Sequence, residues 1–159
     1  MSGYHIYSNW EGPPDRPYVY LVDMMLAYVN IFKPPIIEIN VADLEPQLKE
    51  TNWGGIAVTD ILPKITLKKY EDHHKRIMDA DLSYPIFVRA DHDLIDGAHR
   101  LCKAILTGKK TIKAYVFNKS LMKKFIIHQG FTEDGKVDNA GAGKKKLYEI
   151  LMLFHKQFC

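Results

Sequence analysis

The sequence contains little cysteine and no long apolar segment. Its two cysteines, Cys102 and Cys159, are too few for a disulfide framework and lack metal-binding spacing, so we expect a reducing, cytoplasmic setting. The longest apolar candidate, residues 18–32, is shorter than a membrane-spanning helix and is interrupted by Asp23 and Asn30. Residues 1–12 show no basic and apolar regions of a signal peptide. We therefore predict no membrane partner.

The chain also lacks a strong excess of charge of either sign. The formal net charge is +3, with 26% charged and 47% hydrophobic residues among 159. These values are typical of a globular domain with a hydrophobic core. The positive charge is too small to indicate nucleic-acid binding by itself, but it is compatible with an anionic ligand.

The pattern of apolar segments and breaks predicts an α/β (α+β) fold, a compact single domain with a small mixed sheet, an N-terminal arm and a C-terminal helix. The predicted boundaries are an N-terminal extension over 1–33, a domain over 34–128, a glycine-rich loop over 129–143, and a C-terminal helix over 144–159 that packs on the domain. Pro34 and Pro35 mark the first boundary because proline ends helices.

Periodicity, caps and turn residues predict the elements within these boundaries. Strands are predicted at 36–39, 86–89, 94–95 and 111–117. Helices are predicted at 18–32, from Leu44 with Asp43 as its cap, at 67–80 with Thr66 as its cap, at 97–106 followed by Gly108, and at 120–128. Residues 55–64 read as a loop with some extended structure, and residues 91–93 as a turn.

The most informative segment is Ile95-Asp96-Gly97-Ala98-His99-Arg100, where a strand turns at Asp-Gly into a helix. Asp96 is predicted to cap that helix, and Gly97 to allow the turn and the close approach of a ligand. The free amides of the first turn, with His99, Arg100 and Lys103, could converge on one anion. The alternative is an ordinary cap, a turn glycine and a solvated first turn, and spacing alone does not decide between them.

Residues 73–117 resemble the ParB/sulfiredoxin superfamily, particularly its small ParB-like nuclease-domain members. The segments that carry the resemblance are Arg76-Ile77, Ala80-Asp81-Leu82, Tyr84-Pro85-Ile86, the Ile95–Arg100 motif, Lys103-Ala104 and Thr111-Ile112-Lys113-Ala114-Tyr115-Val116. Residues 36–44 are similar to the opening strand and turn of that fold. The resemblance implies a small α/β unit whose turn and following helix hold nucleotide phosphates, as in CTP-hydrolysing partition proteins, sulfiredoxins and free serine kinases.

The resemblance implies a nucleotide-binding protein that hydrolyses ATP, ADP or CTP or transfers a phosphoryl group from it. It places Asp96, Gly97, His99 and Arg100 at the phosphates, and Ala98 and Lys103 on the same helix are further candidate phosphate-binding residues. Ala98 stands where sulfiredoxins have their catalytic cysteine, so sulfinic-acid repair is excluded. The alternatives are a DNA-binding or nuclease module and a catalytically silent adaptor.

Phosphoryl transfer needs charge neutralisation and usually Mg²⁺ with the nucleotide. His99 is the candidate acid or base, since its pKa normally lies near neutrality. Asp96 and Glu38 are the candidate carboxylates, although a solvent-facing strand position is the simpler explanation of Glu38. No metal site is predicted, because the adjacent His73 and His74 point different ways on a helix. Trp53, beside Gly54-Gly55, could stack on a base or pack against the fold.

Overall fold

The computed structural model describes residues 6–9, 18–129 and 147–159 of the chain. These residues form helices and strands with a mixed sheet, which confirms the predicted α+β class. No helix in these ranges is long and apolar enough to span a bilayer. The predicted glycine-rich loop lies outside the described residues except for Gln129, and so do the first three residues of the predicted C-terminal helix.

The strands are β1 Ile6–Asn9, β2 Tyr18–Leu21, β3 Ile37–Asn40, β4 Asn52–Trp53, β5 Ile56–Ala57, β6 Ile86–Arg89, β7 Leu94–Asp96, β8 Thr111–Phe117 and β9 Ile126–Gln129. The α-helices are α1 Val22–Phe32, α2 Val41–Leu44, α3 Val58–Ile61, α4 Glu71–Asp79, α5 Ala98–Leu106, α6 Lys119–Met122 and α7 Leu147–Phe158. Short 3-10 segments lie at Glu45–Lys49, Leu62–Lys64, Lys68–Tyr70 and Lys123–Phe125.

The chain divides into two compact units, a central unit, Pro35–Phe117, and a terminal unit, Met1–Pro34 with Asn118–Cys159. The first boundary lies within a residue of the predicted one. The second differs, because residues 118–128 belong to the terminal unit rather than to the predicted domain. The reason is strand pairing, since β9 pairs with β2 in antiparallel order. The C-terminal helix α7 is part of the same terminal unit.

In the terminal unit, β1, β2 and β9 form an antiparallel sheet. The helix predicted over 18–32 is correct only from Val22, because residues 18–21 form β2 and pair with both neighbours. It ends at Phe32, as Pro34 and Pro35 predict, with Lys33 in the left-handed conformation. The helix predicted over 120–128 is wrong beyond its first turns, because its last residues form β9.

The central unit contains a four-stranded sheet with the order β3-β8-β6-β7. The pair β6–β8 is parallel, whereas β3–β8 and β6–β7 are antiparallel. Helix α5 connects β7 to β8 and buries Leu101, Cys102 and Ala104. These side chains join a core of aliphatic residues from the sheet and from α2, α3 and α4. The central strands, α5 and the turn at residues 91–93 follow the sequence predictions.

Three local predictions in the central unit are wrong. Asp43 lies inside α2, which begins at Val41 directly after β3, and therefore does not cap it. Within residues 55–64 the predicted extended structure is present as β5, but the rest is not a loop, because it forms α3, which buries Val58 and Ile61, and a 3-10 turn. The helix predicted from Leu67 begins at Glu71 after a separate 3-10 turn, and Tyr70, not Thr66, precedes it.

Candidate functional site

The turn into α5 is shaped by Gly97, which has a φ of 116° and occupies the N-cap position. A Cβ atom at this position would lie 2.5 Å from Cγ2 of Ile86. Glycine is therefore required because β6 packs against the turn, and no other side chain adopts this φ without strain. The sequence analysis predicts that a ligand approaches the backbone closely at Gly97. On the side that a Cβ would occupy, the side chain of Ile86 fills that space instead.

The N-cap position belongs to Gly97, not to Asp96 as the sequence prediction has it. Asp96 is the last residue of β7, and Gly97 makes no side-chain cap to α5. Its Oδ2 instead accepts a hydrogen bond from Nη2 of Arg100 at 3.2 Å. The first-turn residues Ala98, His99 and Arg100 are half-buried. The amides of the first turn thus keep the ability to bind an acceptor, because helix N-termini leave them without intrahelical partners.

Arg100 is occupied by the protein itself. Its Nη1 donates to the carbonyl oxygens of Tyr84 and Pro85 at 3.2 and 2.6 Å, and Nη2 donates to Asp96. The side chain is 20% exposed. The guanidinium therefore joins the segment before β6 to the end of β7, and the prediction that it points to the same anion as His99 does not match this arrangement.

Lys103 is also directed away from the first turn. Its Nζ donates to the carbonyl oxygens of Met78 and Ala80 at 2.9 and 2.6 Å. These carbonyls lie at the end of α4, where a cation is favourable. Lys103 thus ties the C-terminal end of α4 to α5.

Glu38 lies on β3, at the opposite edge of the sheet from β7. Its Oε2 accepts a hydrogen bond from the Thr111 hydroxyl at 3.3 Å, and the residue is exposed. Two strands separate it from Asp96, so the structure does not bring the two candidate carboxylates together. The solvent-facing strand position is the arrangement observed.

His99 meets a second histidine that the sequence does not associate with it. Nε2 of His99 lies 3.1 Å from Nδ1 of His73, 26 residues earlier in the chain. His73 is in the first turn of α4 and His99 in the first turn of α5, so both N-terminal ends lie near the pair. The two half-buried imidazoles form one hydrogen bond, whose direction depends on the tautomers.

Trp53 covers this histidine pair. Its ring stacks on His73 with centroids 4.2 Å apart and planes at 3°, and on His99 at 4.6 Å and 13°. Gly54 and Gly55, both with positive φ, form the turn of the β4–β5 hairpin that carries the indole. Of the two alternatives for Trp53, packing within the fold is the one observed.

The ring positions define the pair further. The imidazole centroids are 5.4 Å apart and their planes differ by 15°. Rings on opposite faces of the indole would be about 9 Å apart at ordinary stacking distances, so both imidazoles lie on the same face. Because each ring nitrogen lies about 1.1 Å from its centroid, the two nitrogens point almost directly at each other, as in a hydrogen bond. Two histidines that share a metal ion converge on it instead.

The environment of His99 favours its neutral form. Burial lowers its pKa below the ordinary 6.5, the nearby charges of His73 and Arg76 lower it further, and Asp96 opposes them. Its position in the first turn of α5 acts in the same direction, because a helix N-terminus disfavours a cation. His99 is thus a neutral ring near pH 7, able to accept a proton.

Among the described residues, neither a reactive thiol nor a cluster of metal ligands lies beside this pair. Cys102 is fully buried under α5, and burial raises the pKa of its thiol to about 12. Among the described residues, no group of three or more His, Cys, Asp or Glu side chains could hold a metal ion. The carboxylate placed in the turn is that of Asp96.

The sequence analysis singled out His99 but missed its association with His73 and Trp53. No local pattern connects residues that belong to a hairpin and two separate helices. No local signal marked the association, because the predicted helix from Leu67 puts His73 in its second turn, whereas α4 begins at Glu71. The helix packing that brings those turns together is a property of the tertiary structure.

Comparison of the chain with protein-family models, with curated proteins and with solved structures finds no match.

Proposed function

We propose that the central unit binds the phosphates of a nucleotide at the first turn of α5 and hydrolyses the nucleotide or transfers a phosphoryl group from it. ATP, ADP and CTP are the candidate nucleotides implied by the resemblance to the ParB/sulfiredoxin superfamily. The observation that supports this most is the first turn of α5, whose N-cap residue Gly97 makes no side-chain cap and which carries the neutral ring of His99.

An uncapped helix N-terminus suits phosphate for two reasons. Its amides are hydrogen-bond donors, and the helix dipole favours negative charge there. Ala98 and His99 are half-buried, so the turn is accessible to a solute. Gly97 and Ile86 close the opposite side of the turn, which leaves the amides of residues 98–100 as the donors for phosphate oxygens.

The cation for the phosphates is Arg76 rather than Arg100 in this proposal. Arg100 is held by two carbonyls and Asp96, and its role is to position the turn. Arg76 on α4 is exposed, and it is close enough for its charge to lower the pKa of His99. Arginine forms short, charge-assisted hydrogen bonds with phosphate.

His99 supplies the acid–base chemistry. A neutral imidazole can take the proton from a water or hydroxyl that attacks the phosphorus atom. Mg²⁺, where the reaction needs it, would be held by the nucleotide's own phosphates with Asp96 as one carboxylate, and it would neutralise charge on the phosphates.

The test is isothermal titration with ATP, ADP and CTP, with and without Mg²⁺, on Ala98→Asp and its isosteric control Ala98→Asn. A carboxylate in the first turn stabilises the helix but repels a phosphate. We expect Ala98→Asp to keep or raise the melting temperature and to weaken nucleotide binding by about tenfold or more. Ala98→Asn should bind within about twofold of the wild type.

Equal nucleotide affinity in the wild type and Ala98→Asp would contradict the proposal, as would no binding of any of the three nucleotides. Salt-dependent DNA binding that Ala98→Asp leaves unchanged would instead favour the DNA-binding alternative. If the protein binds neither nucleotide nor DNA, the result would favour a catalytically silent adaptor.

A further inference from the structure

We propose that His73 and His99 form a proton relay, in which His73 positions His99, fixes its tautomer and carries away the proton that His99 accepts. The inference deepens the proposed function and rests on it for the source of the proton. It is carried by the hydrogen bond between Nδ1 of His73 and Nε2 of His99, and by the indole of Trp53 that stacks on both rings.

Each imidazole uses one nitrogen in the pair and keeps the other available. Within the described residues, no hydrogen bond engages Nδ1 of His99 or Nε2 of His73. The first of these nitrogens belongs to the first turn of α5, and the second to a half-buried ring on α4. The pair therefore joins two available nitrogens through one internal hydrogen bond.

The proton balance follows from the two tautomers. Before transfer, Nε2–H of His99 donates to Nδ1 of His73, and His73 carries its own proton on Nε2. As the oxygen of a water or hydroxyl bonds to phosphorus and the bond to the leaving phosphate oxygen breaks, its proton passes to Nδ1 of His99. The Nε2 proton of His99 then moves to Nδ1 of His73, and Nε2 of His73 releases its proton to solvent. Both rings end neutral, with exchanged tautomers.

The charges around the pair favour at most one added proton. His73 and Arg76 on α4 oppose a cation at His99, while Asp96 at the end of β7 favours one. The face of the Trp53 indole, which lies against both rings, also favours a single delocalised cation. Two imidazolium rings 3.1 Å apart would repel each other, so the pair should titrate in two separated steps.

The decisive experiment is a pH titration of the histidine ring nitrogens by ¹⁵N NMR, without nucleotide, in the wild type, His73→Gln and His74→Gln. We expect His73 and His99 to share their first protonation and to take up a second proton at lower pH. In His73→Gln, His99 should titrate in one step, with its last protonation about half a pH unit or more higher. His74→Gln, which changes the adjacent residue on α4, should leave both steps in place.

A second measurement follows turnover of the nucleotide that binds best. We expect His73→Gln to lower kcat by about tenfold or more with KM nearly unchanged, and to alter the pH profile. His73→Phe, which keeps a ring under Trp53 but has no nitrogen, should lower kcat similarly.

The outcomes separate the two proposals. Independent single-step titrations of His73 and His99 overturn the relay whether or not a nucleotide binds. A coupled titration with unchanged kcat and pH profile in His73→Gln overturns the relay while the proposed function stands. Absence of nucleotide binding by the wild type overturns the proposed function. It also overturns the catalytic role of the relay, even where the two histidines titrate as a coupled pair.

Discussion

The two sides of the first turn of α5 differ in how completely the protein uses its own polar groups. On one side, Arg100 donates to two backbone carbonyls and to Asp96, and Ile86 fills the space next to Gly97. On the other side, His99 makes one hydrogen bond within the described residues, to His73, and keeps a ring nitrogen available. The first side holds the turn together, and the second is the side at which we propose binding and reaction.

The difference shows that adjacent residues of one motif can have separate roles. Successive residues on a helix point about 100° apart, so His99 and Arg100 meet different neighbours. Arg100 reaches the segment before β6, whereas His99 reaches α4 and the β4–β5 hairpin. A motif that looks like a single anion site is thus a structural clamp beside a candidate reactive site.

The largest expected effect is on the structural side, at Gly97. Gly97→Ala would place a Cβ 2.5 Å from Ile86 at a φ of 116°, so we expect a loss of about 2–4 kcal/mol in the free energy of unfolding. Denaturant unfolding monitored by circular dichroism measures this loss.

Gly108→Ala is the matched control for that change. Gly108 also has a positive φ, but no described atom lies within 4 Å of the position that a Cβ would take there, so only backbone strain of about 1 kcal/mol is expected. Equal losses at the two glycines would show that Ile86 does not close the turn.

The comparison of the two sides is sharpest between two arginines. Arg100→Gln should lower the free energy of unfolding by about 1–3 kcal/mol, because it weakens the hydrogen bonds to two carbonyls and Asp96. Arg76→Gln should leave stability nearly unchanged but weaken nucleotide binding about fivefold. Lys75→Gln removes the same charge from the residue of α4 that directly precedes Arg76, and it is the control for a general electrostatic effect.

If Arg100→Gln is as stable as the wild type but no longer binds nucleotide, the roles of the two arginines are reversed and Arg100 is the phosphate ligand. Equal losses of affinity in Arg76→Gln and Lys75→Gln would show that the effect is only that of net charge.

The smallest expected effect is the pH dependence of stability on the reactive side. The pKa of His99 is lowered by burial, by His73 and by Arg76, so below about pH 6.5 the unfolded chain takes up a proton that the folded protein does not. The contribution of His99 to the free energy of unfolding is therefore full above about pH 6.5 and is lost as the pH falls below it. We expect the melting temperature to fall from pH 7 to 5 and to fall less in His99→Gln, by at most about 3 °C.

The difference between the pH profiles of the wild type and His99→Gln separates the effect of His99 from that of the other histidines. Asp79 and Asp81, whose pKa values are lowered by hydrogen bonds from Lys75 and Ser83, act nearer pH 3.8 and do not contribute in this window. Identical pH profiles for the wild type and His99→Gln would contradict the lowered pKa of His99.

Local chemistry made part of this fold predictable. The strands at 86–89 and 111–117, the helix from Ala98 and the glycine at its start follow from apolar periodicity and turn residues. Predictions failed where pairing over long distances decides the element. Residues 18–21 and 126–129 are strands because they pair with each other across the chain.

The site divides in the same way. The position of His99 in a first turn could be predicted, because a turn glycine and the apolar periodicity of the helix after it are local features, whereas the cap expected from Asp96 was misplaced by one residue. The carbonyl partners of Arg100 and Lys103 and the histidine partner of His99 could not, because they lie 15 to 26 residues away in the chain. Only packing of α4, α5 and the hairpin brings them within reach.

The sequence by itself determined the α+β class, the turn at Gly97 and the identity of the polar groups that follow it, since these depend on backbone preferences and periodicity within a few residues. The tertiary structure alone decided which of those groups the fold uses for its own stability and which keeps a nitrogen available. The physical reason is that a side chain's hydrogen-bond partners and burial are set by neighbours in space, and here those neighbours come from α4, β4 and the segment before β6.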